Sequence, residues 1–319
     1  MTVADASSGG QRVIDPTRSN GTTSEGIAYG MLIAVYMGDK PTFDAFWKYA
    51  QAHMVNGLMS WHLTSTGSVD NSDGDGSNSA SDADEDMAWS LLMADKQWPG
   101  GTYGTSATSL IAAIKSGDVN GSGQIVDGCC FGASATHPDY AAPNYYAAFN
   151  FATSVAAEYT LLESSASSVG LIPDSVGGSD FAYDACRAPW RVGLDYCWNG
   201  SRNGNQAFLS KMVATLMSTA QTLGGAAKLE LPLLVSSGQP DTASSPAVTG
   251  AIIGPAAVGA MMSASNQSYI DQSATFLATY IGRASMSGIY GANGDYFGST
   301  VGLIGLLAIT GNFNDFTNP

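Results

Sequence analysis

A short acidic stretch holds the residues whose types and spacing most clearly suggest chemistry. Asp82, Asp84, Glu85 and Asp86 place four carboxylates within five residues, and apolar residues at helical spacing follow at once. Ser81 or Asp82 is predicted to cap this helix, and the helix dipole favours acids in its first turn. A well-capped helix start is therefore one interpretation. Because four acids exceed what capping needs, we favour the other interpretation, a cleft lined by carboxylates.

A second acid, Glu25, lies at the start of another predicted helix. Its neighbours Ser24 and Gly26 are small and would let a substrate approach. Burial by Tyr29 and other apolar residues would raise the pKa of Glu25 towards the range useful for proton donation. Glu25 is therefore a candidate general acid, and an ordinary first-turn acid is the alternative.

The third candidate is Asp184, within the segment 181–191. Here an acid, two arginines and two aromatic residues meet at a helix entrance. The positive charge of Arg187 would keep Asp184 ionised, as a general base requires. The alternative is an Asp–Arg ion pair that only fixes the turn.

Aromatic residues recur beside these acids. Rings near loop–helix junctions can stack on the apolar C–H faces of sugars, whose hydroxyl groups bind to carboxylates. Most of the rings belong to the core in either interpretation. The loop 71–76, with Asp82 at the twelfth position, loosely matches a calcium loop, but the last ligand should be Glu and no helix clearly precedes it. We predict no metal and no cofactor.

The elements that must position these residues are helices. Periodicity predicts helices at about 24–38, 41–55, 84–97, 105–116, 142–164, 186–199, 204–223, 244–263, 267–283 and 297–310, after an extended polar lead-in over residues 1–22. Strand-like alternation is scarce, no linker divides the chain, and no repeat of about 30–45 residues indicates a solenoid. The pattern therefore predicts a single all-α domain in which inner helices are wrapped by outer ones.

Composition narrows the choice of partners. The chain has 319 residues, a formal net charge of −15 and only 12% charged residues, so nucleic acid and anionic membranes are poor partners. No apolar run reaches about 18 residues, and the first twenty residues do not resemble a signal peptide. The four cysteines are not spaced as a zinc site. Their even number and the low lysine content favour a secreted protein with one or two disulfides, whose pairing stays open.

Three segments together resemble glycoside hydrolase family 8. They are residues 24–31, 80–98 and 183–191, with weaker matches at 57–61, 137–143 and 302–313. The resemblance implies an (α/α)6 barrel of six helical hairpins and inverting hydrolysis of β-1,4 linkages. It also implies that Glu25 is the proton donor and that Asp184 is the general base of a cellulase-like subgroup. Glu85 and Asp86 make the signature unusually acidic.

The resemblance further implies a set of substrate-binding residues. Tyr183 and Arg187 would flank the base and the attacking water, and either Asp82 or Asp84 would bind the sugar in the cleaving subsite, Asp82 being favoured. The full set expected to bind substrate is Asp82, Asp84, Trp61, Tyr140, Tyr183, Arg187 and Tyr296.

We therefore expect a monomeric, secreted endo-β-1,4-glucanase that acts on a β-glucan. Inversion requires about 6.5–9.5 Å between its two carboxyl groups, whereas about 5 Å would indicate retention. A chitosanase is one alternative, since a chain of charge −15 attracts a polycation, and a xylanase is another. A carbohydrate-binding protein without catalysis is the third.

Overall fold

The structure is a computed structural model that describes residues 2–282 and 296–317. No helix in these two ranges is long and apolar enough to cross a membrane. The helices are α1 (Ser24–Tyr36), α2 (Lys40–Ala52), α3 (Ser81–Gln97), α4 (Tyr103–Gly117), α5 (Tyr146–Phe149), α6 (Ala152–Ser165), α7 (Ala188–Asn199), α8 (Asn205–Leu223), α9 (Gly250–Ala260), α10 (Gln267–Gly282) and α11 (Tyr296–Ile309).

Alternate helices form a closed inner ring. Helix α1 packs against α3 and α11, α9 packs against α7 and α11, and the 3-10 turn Pro143–Tyr145 with α5 fills the position between α3 and α7. The outer helices α2, α4, α6, α8 and α10 each cover the inner helix that precedes them. The double ring predicted from the sequence is therefore present. Within the described residues it has five inner–outer pairs, and α11 stands as a sixth inner helix.

Two predicted helices are shorter or broken. The segment 142–164 divides because Asn150 adopts a left-handed conformation (φ 64°) between α5 and α6. The segment 244–263 becomes helical only at Gly250, since residues 247–248 pair as a strand with residues 230–231. Both differences arise from local backbone conformations that apolar periodicity does not reveal.

Within residues 2–282 and 296–317, ten short strands lie between the helices and pair as five two-stranded ladders. They are β1 (Thr2–Asp5), β2 (Gly10–Val13), β3 (Thr22–Thr23), β4 (Met54–Val55), β5 (Leu58–Met59), β6 (His62–Leu63), β7 (Asp180–Phe181), β8 (Glu230–Leu231), β9 (Leu233–Leu234) and β10 (Ala247–Val248). The predicted lead-in over residues 1–22 is in fact an antiparallel β1–β2 hairpin packed on α2, followed by a 3-10 turn. The β3–β6 pair joins the entrance of α1 to the loop that precedes α3.

Helix α3 begins earlier than predicted. Its N-cap is Ala80, with no side-chain capping bond, so the prediction that Ser81 or Asp82 caps the helix is wrong. Asp82 and Asp84 consequently lie in the first helical turn, and all four acids of the stretch are buried. Capping alone does not explain them.

Helices α9 and α11 approach each other through glycines. A Cβ built on Gly305 would lie 2.5 Å from the Cα of Gly254, and a Cβ on Gly254 would lie 3.1 Å from the carbonyl oxygen of Val301. Backbone meets backbone at this crossing, so no side-chain rearrangement could relieve an added methyl group.

We expect Gly305→Ala to lower the stability of the protein by about 2 kcal/mol or more, because the two inner helices must move apart. The matched control is Gly121→Ala, since no atom lies within 4 Å of a Cβ at that position. Thermal unfolding of both variants checks this. Equal melting temperatures for the two would contradict the close packing of α9 on α11.

Candidate active site

A cleft of about 530 Å³ lies where the inner helices begin. Its walls come from the first residues of α1, α3 and α11 and from the segments that lead into α7 and α9. Seven of the nine site residues predicted from the sequence line it: Glu25, Trp61, Asp82, Tyr140, Tyr183, Asp184 and Tyr296. The ring of helices therefore brings together side chains that are far apart in the chain.

Arg187, the eighth predicted residue, is fully buried and joins four carboxylates. Its Nη1 donates to Glu25 Oε2 (2.6 Å) and to Asp82 Oδ2 (2.5 Å). Its Nη2 donates to Asp139 Oδ2 (2.6 Å) and to Asp184 Oδ1 (3.1 Å), and its Nε also donates to Asp139 (2.9 Å). We call these five residues the Arg187 cluster. The rigid fork of a guanidinium sets the directions in which all four carboxyl groups lie.

The cluster limits the distance between the candidate acid and base. Glu25 and Asp184 contact the two terminal nitrogens of one planar group, at 2.6 and 3.1 Å. The contacting oxygens of the two carboxyl groups are therefore no more than about 8 Å apart. This limit permits the spacing of about 6.5–9.5 Å of inverting glycosidases and also the spacing of about 5 Å of retaining ones, so the stereochemical outcome has to be measured.

Glu25 has the surroundings of a proton donor. Helix α1, which carries Glu25 in its first turn, is capped by Thr23, whose Oγ1 accepts from the backbone N–H of Gly26 (3.2 Å). Glu25 lines the cleft from this helix start. Burial raises the pKa of Glu25 to about 8, although Arg187 opposes the rise and Asp82 adds to it. Tyr296 donates to Glu25 Oε1 (2.6 Å) and shares a second hydrogen bond with Thr23 (2.9 Å).

Asp184 lies on the opposite side of the cluster and is more accessible. About 40% of its side chain is exposed in the cleft. The segment that carries Asp184 is anchored by Asp174, whose Oδ1 accepts from the backbone N–H groups of Ala182 (2.7 Å) and Ala185 (2.9 Å). Asp174 thus ties down the chain on both sides of Asp184. The sequence analysis missed Asp174, an isolated acid in a loop.

The acids of α3 point in different directions. Asp82 reaches Arg187, whereas Asp86 pairs with buried Arg191 through both oxygens (2.5 and 2.7 Å). Asp84 is fully buried, accepts from the backbone N–H of Met59 (3.4 Å) and does not line the cleft. Burial raises the pKa of Asp84 well above its usual value. Of the two aspartates predicted to bind substrate, Asp82 therefore lines the cleft and Asp84 lies away from it.

Aromatic rings form the walls of the cleft. Trp61 is fixed by its indole N–H, which donates to the carbonyl of Asp75 (3.0 Å), and the guanidinium of Arg18 lies 5.6 Å from its ring. Tyr140 stacks on His137 with ring centroids 4.8 Å apart, and its ring lies 5.0 Å from Arg187. Tyr183 is the most exposed of the predicted rings, at 43%.

The loop 71–76 does not form the calcium site considered above. Asn71 Oδ1 accepts from the backbone N–H of Gly76 (3.0 Å), and Asp82 is turned towards Arg187. No group of three potential metal ligands from His, Cys, Asp or Glu occurs in the part of the chain that the structure describes.

The whole chain matches a known family. The sequence pattern of glycosyl hydrolases family 8 fits residues 4–311. The protein therefore belongs to this family, and its double ring is the (α/α)6 barrel.

Several relatives support this assignment. Endoglucanase C of Ruminiclostridium cellulolyticum is 37% identical over 59% of this chain and 45% of its own length. Endoglucanase A of Acetivibrio thermocellus is 34% identical over 63% of this chain and 47% of its own length. The beta-glucanase of Niallia circulans is 31% identical over 93% of this chain and 78% of its own length. The chain thus spans about half the length of the first two relatives.

Solved structures have the same fold. The beta-1,3-1,4-glucanase from Paenibacillus sp. X4 superimposes with a TM-score of 0.82 at 25% identity, covering 99% of this chain and 89% of that chain. A reducing-end-xylose releasing exo-oligoxylanase superimposes with a TM-score of 0.76 at 21% identity, covering 96% and 86%. The second likeness concerns the fold alone.

We expect Asp174→Ala to lower kcat at least about tenfold with a smaller effect on KM, because the segment around Asp184 loses both of its anchoring bonds. Asp174→Asn keeps an oxygen that can accept the same two bonds and should retain most of the activity. Initial-rate kinetics of the two variants, with thermal unfolding as a check on folding, measure this. Equal losses in both variants would contradict a positioning role based on these bonds.

Proposed function

We propose that this protein is an inverting endo-β-1,4-glucanase that cleaves cellulose-type or mixed-linkage β-glucan. The observation that carries the proposal is the Arg187 cluster, in which one guanidinium contacts a largely buried acid, Glu25, and a more accessible acid, Asp184, and both acids line the cleft. Family membership and relatives named endoglucanase and beta-glucanase support it.

In this proposal Glu25 is the general acid. A carboxyl group whose pKa is about 8 is mostly protonated at neutral pH and can give its proton to the glycosidic oxygen as the bond to C1 breaks. Glu25 then becomes a carboxylate, which Arg187 and Tyr296 stabilise through hydrogen bonds to its two oxygens. The hydroxyl of Tyr296 can rotate between Glu25 and Thr23, because either oxygen of the Tyr296–Thr23 hydrogen bond can be the donor. Tyr296 can therefore donate to Glu25 when Glu25 is ionised and to Thr23 when Glu25 carries the proton.

Asp184 is the general base on the other side of the sugar. It accepts one proton from a water molecule while the water oxygen forms a bond to C1 on the face opposite the leaving group. The reaction breaks one C–O bond, forms another and inverts the configuration at C1. Arg187 supports this role by orienting Asp184, since its Nη2 donates to Asp184 Oδ1 at 3.1 Å.

The remaining cleft residues bind the sugar chain. The carboxylate of Asp82 faces the cleft beside Glu25 and can accept hydrogen bonds from sugar hydroxyl groups. Trp61, Tyr140 and Tyr183 provide ring faces against which sugar C–H groups can pack. A β-glucan has hydroxyl groups around the rim of each sugar and apolar C–H groups on its faces. The carboxylate of Asp82 suits the hydroxyl groups, and the aromatic rings suit the faces.

Chitosan is the second candidate substrate. The cleft is lined by the acids Asp15, Glu25, Asp82 and Asp184, and the chain carries a net charge of −15, which would attract a cationic polysaccharide. The accessible base at position 184 nevertheless favours the cellulase-like assignment implied by the family resemblance.

We also propose that the enzyme is a monomer that acts outside the cytoplasm. Its polymeric substrate lies there, and its small polar residues and few lysines are typical of extracellular proteins. Size-exclusion chromatography and fractionation of the producing cells would test the two statements separately.

We expect Glu25→Gln and Asp184→Asn each to lower kcat on β-glucan at least about 1,000-fold with little loss of stability. The matched control is Glu163→Gln, the same chemical change on an exposed outer helix. Release of reducing ends from carboxymethyl cellulose, mixed-linkage glucan, xylan and chitosan measures rate and preference together. Near-normal turnover by either variant would contradict its assigned role, and a clear preference for chitosan would favour the second candidate.

The pH profile provides an independent test of the acid. We expect kcat/KM to fall as the pH rises through about 8, because Glu25 then loses the proton that it must donate. The hydrogen bond from Tyr296 lowers the pKa of Glu25, so Tyr296→Phe should shift this alkaline limb to higher pH. An alkaline limb near the ordinary value of a glutamate, or one that Tyr296→Phe leaves unchanged, would contradict the assignment.

A further inference from the structure

The loop 127–137 contains a feature that the hydrolysis mechanism does not use. Two of the four cysteines, Cys129 and Cys130, are adjacent there, and Cys130 is exposed. The other two cysteines are separate from them, since Cys186 is buried and Cys197 lies on α7. All four thiols are free in this structure.

The conformation of the loop brings the two adjacent thiols together. Their sulfur atoms are 3.3 Å apart. Cys130 has a φ of 74°, in the left-handed region that a residue other than glycine rarely adopts. Neighbouring side chains of an extended chain point in opposite directions, so this turn is what places both sulfurs on the same side.

Hydrogen bonds hold this conformation at both ends of the loop. The backbone N–H of Cys129 donates to Ser79 Oγ (2.9 Å), and the backbone N–H of Ser81 donates to the carbonyl of Asp127 (3.3 Å). Asp127 Oδ1 also accepts from the backbone N–H groups of Thr136 (2.9 Å) and His137 (3.0 Å). The thiol pair is therefore presented by an anchored loop.

We propose that Cys129 and Cys130 form a redox-active pair that closes to a vicinal disulfide by exchange with a low-molecular-weight disulfide. With oxidised glutathione, the exposed Cys130 thiolate attacks one glutathione sulfur and releases one reduced glutathione. The Cys129 thiolate then attacks the Cys130 sulfur and releases the second. Two protein thiols are oxidised, one glutathione disulfide is reduced to two thiols, and the protons pass to solvent and to the glutathione released.

Chain geometry makes this disulfide a reversible one. Adjacent Cα atoms are about 3.8 Å apart, below the separation of about 4.4–6.8 Å that unstrained disulfides prefer. Exposed and strained disulfides are reduced more readily than structural ones. A disulfide between adjacent residues encloses no chain between them, so it gives little of the entropic stabilisation that a long-range disulfide provides. We therefore assign the pair as a reversible modification site and not as a structural crosslink.

The position of the pair connects it to the cleft without making it part of the reaction. Ser79 precedes Ala80 and Asp82, which line one wall of the cleft. At the other end of the loop His137 stacks on Tyr140, which lines another wall. The loop that carries the thiol pair thus contacts, through Ser79 at one end and His137 at the other, two segments that border the cleft. The inference does not depend on the proposed substrate.

Mass spectrometry of the intact protein and its peptides tests the proposal. The hydrogen bond with Cys129 raises the pKa of the Cys130 thiol above its ordinary value, so the exchange is run at about pH 9.5 to populate the thiolate. The full chain is reduced, incubated with oxidised glutathione at this pH, then alkylated, denatured and digested. We expect the peptide with Cys129 and Cys130 to lose the mass of two hydrogens and to take up no alkylating group. Dithiothreitol should restore two reactive thiols.

Single-cysteine variants supply the controls. In Cys129→Ser and Cys130→Ser the remaining thiol should keep glutathione as a stable mixed disulfide, because its partner is missing. Cys197→Ser should leave closure unchanged. Two glutathione or two alkyl groups on the wild-type peptide, a disulfide between two chains, or no reaction of this pair with glutathione in any variant would each overturn the proposal.

Discussion

The site depends on one buried positive charge. Arg187 is fully buried, and a buried guanidinium is tolerated only when its donors are paired with acceptors of opposite charge. Glu25, Asp82, Asp139 and Asp184 provide that pairing from four separate segments. Four carboxyl groups around one cation carry more negative charge than it can neutralise. Burial raises the pKa of Glu25, Arg187 opposes the rise, and the charges of Asp82 and Asp184 add to it, while Asp184 itself stays accessible to water.

The barrel brings the four carboxyl groups to Arg187 because its inner helices begin at the same place. Helices α1, α3 and α11 start at the cleft, and the segments leading into α7 and α9 complete its wall. The approach of α9 to α11 through Gly254 and Gly305 keeps the ring tight beneath the cleft. Short strand pairs such as β3–β6 fix the loops relative to the helix entrances. Although only 12% of the residues are charged, the fold places the acids Glu25, Asp82 and Asp184 together at the cleft.

Sequence reasoning identified the residues with strong local signals. Glu25 and Asp184 lie in recognisable motifs at helix entrances, although Arg187 and Glu25, which the fold brings into contact, are 162 positions apart. The sequence favoured Asp82 over Asp84 only through the family resemblance. Residues two apart on a helix face nearly opposite directions, and the pattern itself does not say which of them faces the cleft. Asp139 and Asp174 act only through the guanidinium and the backbone N–H groups that they contact, so no spacing in the chain reveals them.

In the proposed mechanism the guanidinium of Arg187 holds an acid and a base on opposite faces of the sugar, with room for water between them. Proton NMR of the first products released from a cello-oligosaccharide tests this most directly, because it records the anomer before mutarotation mixes the two forms. If the reaction inverts C1, the α-anomer is formed first from the β-linkage. Initial formation of the β-anomer would mean retention, with carboxyl groups near about 5 Å, and would contradict the proposed mechanism.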